Sequence, residues 1–314
     1  MTMNKSDLRI VFMGTPEFAL PSLTMLIKEG YNIVGVVTQP DKPKGRGHKL
    51  LPPPVKELAI KNGIQVLQPL KVSRDGFDEL KALDANLFIT VAFGQILSRD
   101  VLALPEYGCI NVHGSLLPKY RGAAPIEWAV INGEKEAGVT TMYTVYELDA
   151  GDMLLKSSIE VPDDMTGGEL REKLSFLGAE VLKETLLRLI DGTLQSEKQN
   201  EEEMTYYPIP TRELSQIDWS KSAKSIKDLV RALNPSQPAY AFFGEDKVKI
   251  FETDIFDMTP KAPGTVMIAD AKKGLFISAG DGVLEIKRLQ LPGGKPMSAK
   301  ELLRGRPNYF KAEV

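Results

Sequence analysis

Apolar runs ending in glycine or a polar turn recur along the first third of the chain, at 8–14, 32–38, 65–67, 87–92 and 109–112. Between them lie stretches with helical spacing, notably 54–62 and 75–83, and Thr15 with Pro16 after Gly14 reads as a helix cap and first turn. Strands that alternate with helices predict an α/β architecture: a Rossmann-like, mostly parallel sheet with helices on both faces. Beyond residue 150 the pattern gives a short strand and then a long amphipathic helix over 166–191. An acidic Glu201-Glu202-Glu203 and a Tyr206-Tyr207-Pro208-Ile209-Pro210 stretch follow, reading as a linker or crossing segment. A helix over 222–233 then precedes short strand candidates at 240–243, 248–251, 264–267, 275–277 and 283–286, evenly spaced and separated by glycine, which suggests a small β-barrel.

The run at 109–112 carries the chemistry. Successive side chains of a strand point to opposite faces, so Asn111 and His113 share one face while Ile110 and Val112 take the other. An amide and an imidazole aimed at one spot, with Asp149 of Leu148-Asp149-Ala150-Gly151 to orient the ring, are the parts needed to stabilise an oxyanion. Cys109 lies upstream on the same strand and reads as core, so the set has no obvious covalent nucleophile. That favours transfer to an acceptor that brings its own. Taken singly, Asn-x-His at a strand end and Asp-Ala-Gly in a turn are also ordinary structural elements.

Composition narrows the setting. A chain of 314 residues can hold two domains with a core each. One cysteine excludes an intrachain disulfide and any cysteine-rich zinc site, and fits a reducing compartment. No signal-peptide pattern opens the chain and no apolar run approaches the ~18 residues of a membrane helix, so a soluble cytoplasmic enzyme is expected. The net charge of -3 conceals a split: residues 208–314 carry 17 Lys or Arg against 13 Asp or Glu, leaving 22 against 29 in the rest. A basic module joined to an acidic one suits a polyanion partner, and suits surface solubility as well. Gly14-Thr15-Pro16-Glu17 is not a dinucleotide fingerprint, and neither a Walker A sequence nor a His-Glu-x-x-His metal site occurs.

Several segments together carry a family resemblance: Phe12-Met13-Gly14-Thr15-Pro16-Glu17-Phe18-Ala19, Pro40-Asp41-Lys42-Pro43 with Gly45-Arg46-Gly47, Asn111-Val112-His113-Gly114-Ser115-Leu116-Leu117-Pro118 with Arg121-Gly122-Ala123-Ala124-Pro125, and Leu148-Asp149-Ala150-Gly151. With Leu302-Leu303-Arg304-Gly305 they resemble the methionyl-tRNA formyltransferase family of 10-formyltetrahydrofolate-dependent enzymes. The resemblance implies a formyltransferase catalytic domain over 1–205 and a C-terminal, tRNA-binding barrel resembling an OB fold over 206–314. It implies formyl transfer from 10-formyltetrahydrofolate to the amino group of methionyl initiator tRNA, in translation initiation, with no metal, membrane or DNA involved. Asn111, His113 and Asp149 take the catalytic positions, and Ser115, Leu116, Leu117 and Pro118 match the folate-contacting segment, through backbone groups and an apolar wall. The basic loop with Lys42, Lys44, Arg46 and Lys49 matches an insertion that reaches the tRNA acceptor end; its composition alone also fits a solvated loop.

Two rival readings stay open on sequence. A sugar-nucleotide N-formyltransferase shares the Asn-His-Asp chemistry but calls for neither the Arg46 loop nor the C-terminal module. A noncatalytic RNA-binding protein accounts for the basic C-terminal third and leaves the converging polar set idle.

Overall fold

The computed structural model describes residues 3–44 and 49–310, without the side chains of Lys44 and Lys49. Two compact units make up the chain: Met1–Pro125 with Glu136–Ile159 and Arg171–Tyr207, and Ile126–Lys135 with Glu160–Leu170 and Pro208–Val314.

In the first unit the apolar runs form strands β1 (Arg9–Gly14) and β2 (Asn32–Val37), a small hairpin of β3 (Lys42–Lys44) and β4 (Lys49–Leu51), then β5 (Val66–Leu67), β6 (Leu87–Val91), β7 (Cys109–His113), β8 (Glu136–Tyr143) and β9 (Met153–Glu160). Apart from the hairpin they make one seven-stranded sheet in the order β5-β2-β1-β6-β7-β8-β9. The first five of that order run parallel, and β8 lies antiparallel on β7. β1 and β6 are buried almost end to end, as expected for central strands of a parallel sheet whose side chains find a core on both faces. Gly14 closes β1 because a Cβ there would lie 2.8 Å from a ring carbon of Phe12 and 3.0 Å from the carbonyl oxygen of Val91.

Helices α1 (Leu20–Lys28), α2 (Pro54–Lys61), α3 (Phe77–Ala82), α4 (Arg99–Leu102), α5 (Pro125–Ile131) and α6 (Gly167–Asp191) separate the strands. The helical expectation at Thr15 is corrected. A 3₁₀ turn, Glu17–Ala19, intervenes before α1, and the Thr15 hydroxyl instead donates to the Phe93 carbonyl at 3.1 Å while accepting from the Gln39 N–H at 3.2 Å. Thr15 thus ties together the loops after β1, β2 and β6; tertiary partners outcompete a local cap. β8 was not expected at all, and β9 is longer than the short strand foreseen.

The second unit holds α7 (Ala223–Leu233), strands β10 (Ala239–Phe243), β11 (Asp246–Phe256), β12 (Val266–Asp270), β13 (Gly274–Ser278), β14 (Val283–Gln290) and β15 (Met297–Ser298), and α8 (Ala299–Gly305). The strands pair antiparallel along the path β10-β11-β14-β13-β12, with β15 on β14. The register shifts twice in β11, around Glu252, the kind of irregularity that bends a sheet toward a barrel. Ile226, Val230 and Leu233 recur at helical spacing on α7 and are buried with Val248, Ile250, Leu275, Ile277, Leu284 and Ile286, so one side of the sheet carries this unit's core. Ser222 caps α7 by accepting from the Ser225 N–H, and Ser298 with Glu301 forms a capping box on α8.

Candidate active site

Asn111 and His113 sit in the last three residues of β7, where the carboxyl ends of parallel strands open onto loops. Register aligns Asn111 with Thr90 of β6 and His113 with Thr140 of β8. The Thr90 hydroxyl donates to Asn111 Oδ1 at 3.0 Å. That bond fixes the amide: its oxygen is occupied, and its NH₂ is the end left to meet another acceptor.

His113 is buried, and its two ring nitrogens have different partners. Nε2 lies 2.9 Å from the Tyr120 carbonyl oxygen, which can only accept, so Nε2 carries the proton in this bond. Nδ1 lies 3.6 Å from Asp149 Oδ1, within ion-pairing range. Asp149 Oδ2 accepts from the Gly122 N–H at 2.9 Å. Both Asp149 and Tyr120 adopt left-handed backbone angles, φ 50° and 62°, and so does Gly122 at 112°. Gly122 has no alternative, since a Cβ there would lie 2.3 Å from the Tyr207 carbonyl oxygen. Strained backbone gathered around one histidine and one carboxylate is the pattern of a site whose surroundings hold it in place.

A braced shell surrounds these groups. Residues 120–122 are paired with 205–207: the Arg121 N–H donates to Thr205 O, the Tyr207 N–H donates to Arg121 O, both at 2.9 Å, and the Tyr120 N–H donates to the Thr205 hydroxyl at 2.8 Å. The Arg121 side chain is buried, donating from Nε to Gln199 Oε1 at 2.9 Å and from its two terminal nitrogens to Glu201. The Glu201 carboxyl is held below its usual range by the hydrogen bond from that guanidinium.

Ser115 and Cys109 are both held away from nucleophilic chemistry. Ser115 is buried, and its hydroxyl donates to the Lys119 carbonyl at 2.7 Å. Burial pushes the Cys109 thiol up to about 11, keeping it protonated and inert. In the expected folate-contacting segment Leu117 is 1% exposed and clusters with Met142 and Met153, while Pro118 is buried beside it. Leu116 is half-buried and lies over Gly138, where a Cβ would come within 2.5 Å of it. The Thr140 hydroxyl donates to Ser115 O at 2.7 Å and accepts from the Leu117 N–H at 3.1 Å, and Lys156 donates to Leu117 O at 2.7 Å. Polar groups of Ser115 and Leu117 thus brace the loop internally.

Of the basic loop, Lys42 is exposed on β3, and Lys42 to Lys44 pair with Lys49 to Leu51 as a hairpin. Arg46 lies outside the described residues, as do the side chains of Lys44 and Lys49. Asp41 anchors the start of the hairpin to Lys56 and Gln68, and the hydrogen bond from Lys56, then that from Gln68, lowers its carboxyl pKa. Sequence reading missed Thr90, Thr140, Tyr120 and Gln199. Thr90 had one signal, a lone polar residue inside the apolar Leu87–Val91 strand; Gln199 had none within its polar run.

Among the described residues no group of three or more His, Cys, Asp or Glu could hold a metal ion, and no helix is long and apolar enough to cross a membrane. Residues 8–186 match the family model described as formyl transferase, and residues 210–307 match that of the formyl transferase C-terminal domain. Fold and matches together define an enzyme that transfers formyl groups. A methionyl-tRNA formyltransferase of Ruminiclostridium cellulolyticum is 50% identical over 302 residues, 95% of this chain and 96% of that one. The chain belongs to the methionyl-tRNA formyltransferase family.

Solved structures agree on the fold. An N-formyltransferase from Helicobacter canadensis, in complex with folinic acid and dTDP-3-aminofucose, superposes with a TM-score of 0.68 at 20% identity, covering 89% of this chain and 98% of that one. HypX from Aquifex aeolicus, in complex with tetrahydrofolic acid, gives 0.64 at 18% identity over 98% of this chain. This chain spans about half of HypX, 49% of its length.

Proposed function

We propose that the chain transfers the formyl group of 10-formyltetrahydrofolate to the α-amine of methionyl initiator tRNA, in the cytoplasm, with residues 1–205 carrying the chemistry and 206–314 binding tRNA. The observation that supports this reading is the pairing of His113, with one ring nitrogen committed, to the Asp149 carboxylate, two residues along β7 from an amide oriented by Thr90, with Ser115 and Cys109 both unavailable as nucleophiles. Such a set suits an acceptor that supplies its own nucleophile. An α-amine titrates near pH 7.7 to 8.0 and lower beside an ester, so part of it is neutral without a strong base.

The donor set fits the folate co-substrate, which when bound supplies the formyl carbon and accepts a proton at the nitrogen that leaves. As the amine attacks, negative charge grows on the formyl oxygen. The Asn111 NH₂, distinguished from Oδ1 by the Thr90 bond, donates to that oxygen. His113 donates from Nδ1 when charged, and Asp149, 3.6 Å from Nδ1, balances the ring's charge. Asp149 also receives the proton that the amine loses and passes it, through water, toward the departing nitrogen. Leu116, half-buried on the Ser115–Pro118 loop, offers an apolar surface to the pterin, and Pro118 stiffens the loop. Lys42, Lys44, Arg46 and Lys49 contact the acceptor end of the tRNA.

The test is direct. Purified protein with 10-formyltetrahydrofolate should formylate charged initiator tRNA much faster than elongator methionyl-tRNA or an amino-sugar nucleotide. Preference for the amino sugar would make it a sugar N-formyltransferase, and no transfer to any acceptor would leave an RNA-binding protein.

A further inference from the structure

Gln199 lies in the stretch between the two family matches, which end at 186 and begin at 210. It is nonetheless 9% exposed and fully engaged. The buried Arg121 guanidinium donates to its Oε1, which fixes the orientation of the amide. Its Nε2 then donates to the carbonyl oxygens of Asp149, at 2.7 Å, and Gly151, at 2.8 Å. One amide thus clasps both sides of the turn that holds the carboxylate. That turn has little other freedom: Asp149 is left-handed, and a Cβ at Gly151 would lie 1.8 Å from the Tyr143 carbonyl oxygen. Arg121 meanwhile is held by Glu201 and by backbone pairing at Thr205 and Tyr207, so the clasp is anchored at its far end.

We infer that Gln199 is a positioning residue for formyl transfer: it holds the Asp149 turn so that Oδ1 faces His113 Nδ1. This rests on the role proposed for Asp149. Gln199 is too deeply committed to protein partners to touch substrate, and it acts through the carboxylate alone.

Gln199→Glu is the sharpest variant. It keeps the side chain's shape and the Arg121 contact, which preserves folding, and it turns both donors into acceptors facing two carbonyl oxygens. Gln199→Leu removes the clasp without that repulsion. Steady-state formylation of initiator methionyl-tRNA should show kcat lower by about 10²-fold in Gln199→Glu, the loss typical of an ångström-scale misplacement, with KM for both substrates little changed. Asp149→Asn serves as the reference. Combined with it, either Gln199 variant should cost nothing further, because a clasp has no effect once the group it positions is disabled.

Losses that multiply in the double variant, or a folded Gln199→Glu with wild-type kcat, would overturn the inference and leave Asp149's role intact. Wild-type kcat in Asp149→Asn itself would instead remove the proposed mechanism, and this inference with it. Thermal melts run alongside keep the reading clean; should Gln199→Leu melt below the assay temperature, Gln199→Glu and Gln199→Asn carry the same comparison.

Discussion

The nitrogen of His113 that faces Asp149 is Nδ1, 3.6 Å from Oδ1, because Nε2 is spent on the Tyr120 carbonyl 2.9 Å away. A carbonyl cannot donate, so the neutral ring is the Nε2–H tautomer and presents a lone pair to the carboxylate. The chain has two histidines, His48 and His113, which makes the ring nitrogens easy to assign. Nitrogen-15 spectra of the free enzyme at alkaline pH should show His113 protonated on Nε2. A dominant Nδ1–H form would mean that the Tyr120 contact does not set the tautomer.

Thr90 is the counterpart of Tyr120 for the other donor. Its hydroxyl occupies Asn111 Oδ1, and its 7% exposure means no water readily replaces it. Thr90→Val keeps the shape and removes that bond. Turnover should fall about fivefold, the rate equivalent of one neutral hydrogen bond of roughly 1 kcal/mol, while stability changes by about 1 kcal/mol or less. Initial rates with a parallel melt check both figures.

Much of this arrangement was readable from sequence, and the exceptions share a cause. Asn111 and His113 share a strand in which alternation puts them on one face, and His113 Nδ1 lies 3.6 Å from Asp149 Oδ1. The central strands announced themselves as unbroken apolar runs. β8 did not: it is buried through six of its eight residues, yet Thr140 and Thr141 interrupt the apolar pattern and charged residues precede it. Thr15 looked like a helix cap, and its hydroxyl serves two loops distant in sequence. Gln199 and Glu201 lie in a polar stretch that local pattern can only call a linker; their value comes from Arg121, almost 80 residues away. Local rules find elements, but long-range hydrogen bonds reassign polar residues that those rules had already placed.

The basic segment around Arg46 makes a separable prediction. If its role is to engage the acceptor end of tRNA, Arg46→Ala should raise KM for initiator methionyl-tRNA or lower kcat/KM by about tenfold, and leave the melting temperature unchanged. The effect should shrink when tRNA is replaced by a minimal aminoacyl acceptor. Equal kinetics of variant and wild type on full tRNA would remove the proposed role of Arg46.

Acid should loosen the second unit at Asp254. Its carboxylate accepts from Lys227 of α7 and Lys287 of β14, and those hydrogen bonds, Lys227 first, lower its pKa from 3.8 to about 2. A carboxyl depressed on folding contributes stability above its unfolded pKa, and that contribution is lost as pH falls through the folded value. The gain is therefore complete above about pH 5 and disappears toward pH 2. Because the pair is half-exposed, it amounts to about 1 kcal/mol or less. Melts of Asp254→Asn should lie slightly below wild type at neutral pH and converge with it in acid; a gap that persists at low pH would assign the loss to packing.

The single-turnover rate of formylation by Asn111→Ala, measured with saturating 10-formyltetrahydrofolate and charged initiator tRNA, tests the oxyanion reading most directly. A properly folded variant should react about 10²- to 10³-fold more slowly than wild type, with tRNA binding unchanged, as for the loss of one donor to a developing negative charge. A rate close to wild type would contradict the account.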